Sequence, residues 1–282
     1  MTTLALIVHH FRDEVTALAA DAQAWCMGAG VTCVMHHEDA EVAGSPQFAA
    51  DLATLQSADV CLSLGGDGTI LRAVQLVGAA GVPIIGLNAG RLGYLTEFDP
   101  TQLVHALELW QTGQLLVDQR MLLRMSIDSP RQQVTGYALN EVVIERAESG
   151  HTVRVDARIN GRSFTSYLAD GIIVSTPTGS TAYSLSAGGP IVEPSSEAIL
   201  LNPVAPHMVF DRTMVLSASS TVELKVEGYR TAAVTLDGRQ VATLEPGESI
   251  HCCSADVSAK FLVTGQRDFH SILKEKFGLT DR

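Results

Sequence analysis

A glycine-rich loop that carries one aspartate is the most informative feature of this 282-residue chain. Residues 64–71 read L-G-G-D-G-T-I-L, between an apolar run typical of a strand and a segment with helical spacing. Glycines here let the backbone approach a ligand closely, and the N-terminus of the following helix favours negative charge. A carboxylate among such donors, Asp67, indicates proton or metal chemistry beside a phosphoryl group. An ordinary Gly-Asp turn is the alternative, and the loop alone leaves it open.

A second unusual segment is rich in small hydroxyl side chains. Residues 170–190 read D-G-I-I-V-S-T-P-T-G-S-T-A-Y-S-L-S-A-G-G-P. Many hydroxyl donors after an apolar strand suit a polar ligand with hydroxyls and phosphates, and Tyr183 offers a ring on which a base can stack. Composition alone also allows a serine-rich surface loop. The Gly188-Gly189-Pro190 run directly before the apolar Ile191-Val192 argues against that alternative.

Composition limits the class of protein. Hydrophobic residues make up 46% and charged residues 18%, which predicts a substantial core rather than disorder. The net charge of -12 argues against a non-specific nucleic-acid binder, but a local basic pocket could still hold an anionic substrate. The five cysteines form no C-x-x-C pair, which favours free thiols in a reducing compartment. With no signal peptide and no membrane span in the sequence, we expect a soluble cytoplasmic protein without nucleic-acid or membrane partners.

The pattern of elements changes along the chain. Strands are predicted at 4–8, 32–35, 60–64 and 82–87, alternating with helices at 13–27, 48–55, 69–77 and 101–111. This alternation predicts an N-terminal doubly wound parallel α/β nucleotide-binding domain over residues 1–116. From residue 117 short strands and hairpin signals such as Asn160-Gly161 and Asp237-Gly238 predict a C-terminal β-sandwich domain to residue 266. A C-terminal helix within 267–282 is expected to pack back on the first domain.

Three motifs in order resemble those of bacterial NAD kinases: G-G-D-G-T, then Leu139-Asn140-Glu141, then the 170–190 segment. The resemblance covers nearly the whole chain. Diacylglycerol and sphingosine kinases share the glycine loop, and phosphofructokinases share it loosely, but none of them has the second segment. The resemblance implies an α/β domain followed by a β-sandwich. It further implies phosphorylation of the 2′-hydroxyl of the adenosine ribose of NAD by ATP, with a divalent cation such as Mg²⁺, in a homodimer or homotetramer. A lipid or sugar kinase that shares only the loop, and a non-catalytic NAD(H) sensor, are the alternatives.

The resemblance also assigns roles to individual residues. Asp67 matches the general base of the family, and the phosphate loop comprises Gly65, Gly66, Gly68 and Thr69. Asn140 and Glu141 match the pair that holds the base and ribose of NAD. The other expected NAD contacts are Gly68, Arg72, His151, Leu168, Asp170, Thr181, Ala182, Tyr183, Ser184, Leu185, Ser186 and Gln240.

Some features stay open at the level of sequence. Leu168 stands where some relatives carry Lys or Arg, so the preference between NAD and NADH is undetermined. ATP cannot be distinguished from polyphosphate as the donor, and no residue is assigned as a direct metal ligand. Residues 88–94 resemble a family loop near the phosphates, in which Arg91 is expected to face them.

Overall fold

The computed structural model describes residues 2–11, 14–89, 93–148 and 150–279. By its internal contacts the chain separates into two units. The first unit comprises Met1–Gln119 together with Ser258–Arg282, and the second comprises Arg120–Val257. The domain boundaries at residues 116 and 266 stay predictions. No helix within the described residues is long and apolar enough to cross a membrane.

The first unit is built on a parallel sheet, as predicted. The elements in chain order are β1 (Thr3–Val8), α1 (Glu14–Ala29), β2 (Thr32–His36), α2 (His37–Val42), β3 (Ala49–Ala50), α3 (Leu52–Gln56), β4 (Val60–Gly65), α4 (Asp67–Val77), β5 (Ile84–Asn88) and α5 (Leu103–Gln111). The strands are ordered β3-β2-β1-β4-β5, and all of these pairs are parallel. From β1 the chain adds β2 and β3 on one side of the sheet and then crosses to the other side of β1 to form β4 and β5. In sheets of this type ligands bind where the strand order reverses, which here lies between β1 and β4, and the glycine loop directly follows β4.

The four predicted helices have different bounds in the structure. For α1 and α5 the ends differ from the predicted 13–27 and 101–111 by at most two residues. The predicted helix at 48–55 is replaced by a 3₁₀ turn (Pro46–Phe48), the short β3 and then α3. The prediction was wrong because the Asp51 side chain accepts the Thr54 N–H, which makes Asp51 the N-cap of a helix that begins only at Leu52. Helix α4 begins at Asp67, two residues before the predicted start at 69, with Gly66 at its N-cap.

The second unit consists of two sheets with mainly antiparallel pairing that share one core, which confirms the predicted sandwich. The elements are β6 (Leu116–Asp128), β7 (Gln133–Ala138), β8 (Glu141–Arg146), β9 (Val153–Ile159), β10 (Arg162–Ala169), β11 (Gly171–Ser175), α6 (Tyr183–Ser186), β12 (Ala198–Val204), β13 (Met214–Ser217), β14 (Val222–Glu227), β15 (Ala232–Leu236), β16 (Arg239–Leu244) and β17 (Ser249–Val263). One sheet has the order β10-β9-β14-β17, and the other has the order β13-β12-β11-β8-β15-β16. Val155 and Leu224 of the first sheet and Ile144 and Ile172 of the second belong to one buried cluster.

The C-terminal segment completes the first unit. Phe261, near the end of β17, pairs in parallel with Ile84 of β5, and Leu262 belongs to the buried core of this unit. The Thr264 N–H and hydroxyl then donate to the Glu97 carboxylate. The last helix, α7 (Phe269–Phe277), begins at a cap formed by Asp268.

Candidate active site

Asp67 is the first residue of α4, and the main chain of a neighbouring loop holds its carboxylate. The Tyr94 N–H donates to one carboxylate oxygen at 2.8 Å, and the Leu95 N–H donates to the other at 3.0 Å. A Cβ at Gly93 would lie 2.0 Å from Asp67 Oδ1, so only glycine fits beside the carboxylate. The Asp67 carboxylate therefore has a fixed orientation at the carboxyl end of the buried strand β4.

The other predicted phosphate-loop residues form one turn around the start of α4. The Gly65 carbonyl accepts the Ala89 N–H, and the Gly66 carbonyl accepts the Thr69 N–H. A Cβ at Gly65 would collide with the buried Thr69 side chain, whereas the positions of a Cβ at Gly66 and Gly68 are open. The N–H groups that precede Thr69 lie at the N-terminus of α4, which favours an anion, so this turn can bind one.

Arg72 faces a buried carboxylate. Its guanidinium donates two hydrogen bonds to Asp39, at 2.6 and 2.8 Å, and Asp39 is fully buried. Asp39 also accepts the Val8 N–H at the end of β1. Since the charge of Arg72 is matched within the protein, its predicted contact with NAD stays a prediction. Arg91 lies outside the described residues.

In the second unit, Asn140 and Glu141 form a turn at the start of β8. Leu139 and Asn140 each donate a backbone N–H to the Asp237 carboxylate at 2.8 Å, and Glu141 donates one at 3.1 Å. The Asn140 carbonyl accepts the Thr176 N–H at 2.9 Å. A Cβ at Gly179 would lie 2.1 Å from the Asn140 carbonyl oxygen, so the hydroxyl-rich segment packs directly on this turn.

The Glu141 side chain has an unusual environment. It is 7% exposed, and its Oε2 atom has no hydrogen-bond partner among the described residues. Burial, followed by the charge of Asp237, raises the pKa of Glu141 to about 8, although the Tyr183 N–H donates to this carboxyl and acts in the opposite direction. A buried polar atom without a partner is costly, which is typical of a group that a ligand satisfies.

Asp170 and Tyr183 line the same open pocket of about 390 Å³, together with Glu145, Arg146 and Val204. Arg146 donates to Asp170 at 2.8 Å. Tyr183 is 39% exposed, and its phenol pKa is raised by burial and then by the nearby carboxylates Glu145 and Asp170. The pocket therefore combines an exposed ring edge with charged groups of both signs.

The remaining predicted NAD contacts differ in accessibility. Thr181, Ala182, Leu185 and Leu168 are half-buried, and Ser186 is exposed. Ser184 is fully buried and its carbonyl accepts from the Asn202 amide, so its side chain faces the interior.

His151 and Gln240 are both exposed. His151 lines a separate pocket of about 330 Å³ that also contains Arg146. The Gln240 amide donates to the Thr243 hydroxyl. For each, contact with NAD stays a prediction.

Sequence reasoning missed three residues that shape these sites. Gly93 makes room for the Asp67 carboxylate, Asp237 holds the Asn140-Glu141 turn, and Arg146 pairs with Asp170. Asp237-Gly238 was interpreted only as a hairpin signal. The signal that could have shown its second role is the residue type, since Asp and Asn side chains in turns accept backbone N–H groups.

Comparisons with known proteins assign the N-terminal and the C-terminal parts of the chain to the same family. Residues 4–114 match the family model described as ATP-NAD kinase N-terminal domain, and residues 139–264 match the ATP-NAD kinase C-terminal domain. An NAD kinase of Moorella thermoacetica is 34% identical over 98% of this chain and 89% of its own length. An NAD kinase of Geobacter sulfurreducens is 33% identical over 100% of both.

Two solved structures resemble the chain. Yeast NADH kinase complexed with NADH has a TM-score of 0.91 at 23% identity, covering 100% of this chain and 89% of the yeast chain, and shows the same fold. An NAD kinase from Archaeoglobus fulgidus in complex with ATP has a TM-score of 0.76 at 26% identity, covering 98% and 99% of the two chains. Together with the fold and the three motifs, these matches show that the chain belongs to the NAD kinase family.

Proposed function

We propose that this protein transfers the γ-phosphoryl group of ATP to the 2′-hydroxyl of the adenosine ribose of NAD, which yields NADP and ADP. The observation that carries the proposal is the Asp67 carboxylate, held by two backbone N–H groups at the start of a helix and beside an open glycine turn. The relatives named NAD kinase support the choice of substrate.

Asp67 acts as the general base in this proposal. A ribose hydroxyl is a poor nucleophile, and a carboxylate within hydrogen-bond reach can take its proton as the phosphoryl group arrives. The bond between the 2′-oxygen and the γ-phosphorus forms while the bond to the β-phosphate oxygen breaks. ADP carries away that bonding pair and Asp67 keeps the proton. The fixed orientation of the carboxylate supports this role, since proton transfer depends on geometry.

Neutralisation of the phosphate charges falls to the glycine turn and a divalent cation. Arg72 is already matched by Asp39. Within the described residues no cluster of three or more His, Cys, Asp or Glu side chains is placed to hold a metal ion. Mg²⁺ keeps most of its ligands from water and substrate phosphates and needs few from the protein. The cation would be held mainly by the phosphates of ATP beside the glycine turn and would neutralise their charge, which leaves Asp67 as the base.

The Asn140-Glu141 turn and the pocket of Asp170 and Tyr183 are the proposed NAD contacts. Glu141 can accept hydrogen bonds from ribose hydroxyls, which would satisfy its buried oxygen. The Asn140 amide offers both donors and an acceptor to a base. Tyr183 presents its ring at the edge of the pocket, where a base can stack.

The proposal is tested with purified protein, ATP and Mg²⁺, to which NAD, NADH, a diacylglycerol and a sugar phosphate are offered in turn. We expect NAD to become NADP. Phosphorylation of the lipid or sugar with NAD inert would establish the alternative kinase, and tight NAD binding without turnover would establish a sensor. Repeating the NAD reaction with polyphosphate identifies the donor.

A homodimeric or homotetrameric state and a cytoplasmic location are further parts of this proposal. Strand β13 forms an edge of the second sheet, and its Val215 is 57% exposed. An exposed apolar edge strand favours association. Sedimentation of the purified protein measures the state directly, and a monomer at micromolar concentration would contradict it.

A further inference from the structure

One half-buried carboxylate organises the turn that carries Asn140 and Glu141. The Asp237 carboxylate accepts the backbone N–H groups of three consecutive residues, Leu139, Asn140 and Glu141, at 2.8, 2.8 and 3.1 Å. The Asp237 N–H donates back to the Glu141 carbonyl at 3.0 Å. Strands β8 and β15 already pair antiparallel, and the Asp237 side chain extends this connection to Leu139 and Asn140, which precede β8.

Both the backbone and the chemistry of this position favour aspartate. Asp237 has a φ of +47° and precedes Gly238 in a hairpin turn, a conformation that Asp, Asn and Gly adopt readily. Three N–H donors need more acceptor capacity than one amide oxygen provides, whereas a carboxylate offers two oxygens. Burial raises the pKa of Asp237, and the hydrogen bonds from the three N–H groups oppose this increase without cancelling it. The site therefore disfavours the charge of the carboxylate, while the three N–H donors favour it.

We propose that Asp237 is a positioning residue for the dinucleotide: its carboxylate fixes the main chain of Leu139–Glu141 and thereby the directions of the Asn140 and Glu141 side chains. The inference rests on the proposed function and adds a residue that does not itself touch NAD.

A second effect of Asp237 gives the test a specific readout. Burial is the main cause of the raised pKa of Glu141, and the charge of Asp237 is the second. The hydrogen bond from the Tyr183 N–H, at the start of α6, lowers this pKa. Replacing Asp237 with a neutral residue therefore lowers the pKa of Glu141. Since ribose hydroxyls donate to the ionised carboxylate, the KM for NAD should fall as Glu141 loses its proton, and this change should move to lower pH in the variant.

The experiment compares Asp237→Asn and Asp237→Gly with the wild type, by the KM for NAD and for ATP and by kcat between pH 6 and pH 9.5. Both substitutions keep a residue that tolerates the turn, and Asn retains part of the acceptor capacity. Asn160→Gly is the matched control, because Asn160 also has a positive φ before a glycine and its side chain accepts one N–H, from Thr221.

We expect Asp237→Gly to raise the KM for NAD by about tenfold or more with little change in the KM for ATP, and Asp237→Asn to raise it less. In Asp237→Asn the pH at which the KM for NAD changes should lie below that of the wild type. Asn160→Gly should leave all of these values unchanged. Equal increases in both KM values, or an Asp237→Asn profile that coincides with the wild type, would overturn the inference. A wild type without NADP formation would overturn the proposed function and this inference with it.

Discussion

Glu141 has a side-chain environment that a ligand with hydroxyl donors would complete. Its carboxyl is buried, one oxygen lacks a partner among the described residues, and its pKa is raised to about 8. Ionising a buried carboxyl of this kind disfavours the folded state. A bound ribose would supply the missing hydrogen bonds.

The raised pKa predicts how stability depends on pH. Between the ordinary value of 4.5 and about 8, folded Glu141 keeps a proton that the unfolded chain has lost. The contribution of Glu141 to the free energy of unfolding therefore falls by roughly 1.4 kcal/mol per pH unit across this interval. Glu141→Gln removes the titration, so the variant should gain stability relative to the wild type from pH 5 to pH 8. Urea unfolding at both pH values measures this, and a difference that stays constant with pH would contradict it.

At the scale of residues, the sequence indicated candidate side chains but not their environments, and contact of these side chains with NAD stays a prediction. Asn140 and Glu141 were selected from a short motif, and the structure brings both to one turn beside the hydroxyl-rich segment. The pairing of Arg72 with Asp39 could not be predicted, because it joins α4 to α2 through the fold rather than through the local sequence.

The element that carries Asp67 depends on the close approach of residues 93–95. Gly93→Ala would place a Cβ 2.0 Å from Asp67 Oδ1. Because the φ of Gly93 lies outside the left-handed region, the substitution acts through this collision and not through backbone strain. We expect kcat to fall by about a hundredfold with little loss of stability, since small displacements of reacting groups reduce rates strongly. Gly28→Ala in α1 is the control, because a Cβ there meets nothing within 4 Å. Equal activity of the two variants would contradict this role of Gly93.

Elements were predicted well where the apolar periodicity was strong. They were predicted less well where a capping residue determines the first residue of a helix. Strand β4 and the body of α4 follow from apolar spacing alone. The start of α4 at Asp67 and the cap at Asp51 depend on single side-chain and turn geometries that periodicity does not encode.

The first unit is assembled from both ends of the chain. Leu262, near the C-terminus, is 7% exposed and belongs to the core formed by β1, β4 and β5. Leu262→Ala should lower the free energy of unfolding by about 2–5 kcal/mol. Val257→Ala, on the same strand at a position that is 36% exposed, should change it by about 0.5 kcal/mol or less. Equal urea midpoints for the two variants would show that β17 does not complete this core.

At the scale of the whole molecule, the alternation of strands and helices followed by a run of short strands was sufficient to predict an α/β domain followed by a sandwich. The return of β17 to β5 was not predictable, since it pairs Phe261 with Ile84, which lie far apart in the sequence. Long-range pairing of this kind depends on the complete fold and leaves little local signal.

The most direct test of the central claim is the rate of NADP formation by Asp67→Asn compared with Asp51→Asn. Both substitutions remove a carboxylate charge at the beginning of a helix, and Asp51 is the N-cap of α3 outside the candidate site. If Asp67 is the general base, Asp67→Asn should reduce kcat by about 10²–10⁴-fold in protein that still folds cooperatively, and Asp51→Asn should retain the wild-type rate. NADP formation by Asp67→Asn at the wild-type rate would contradict the account.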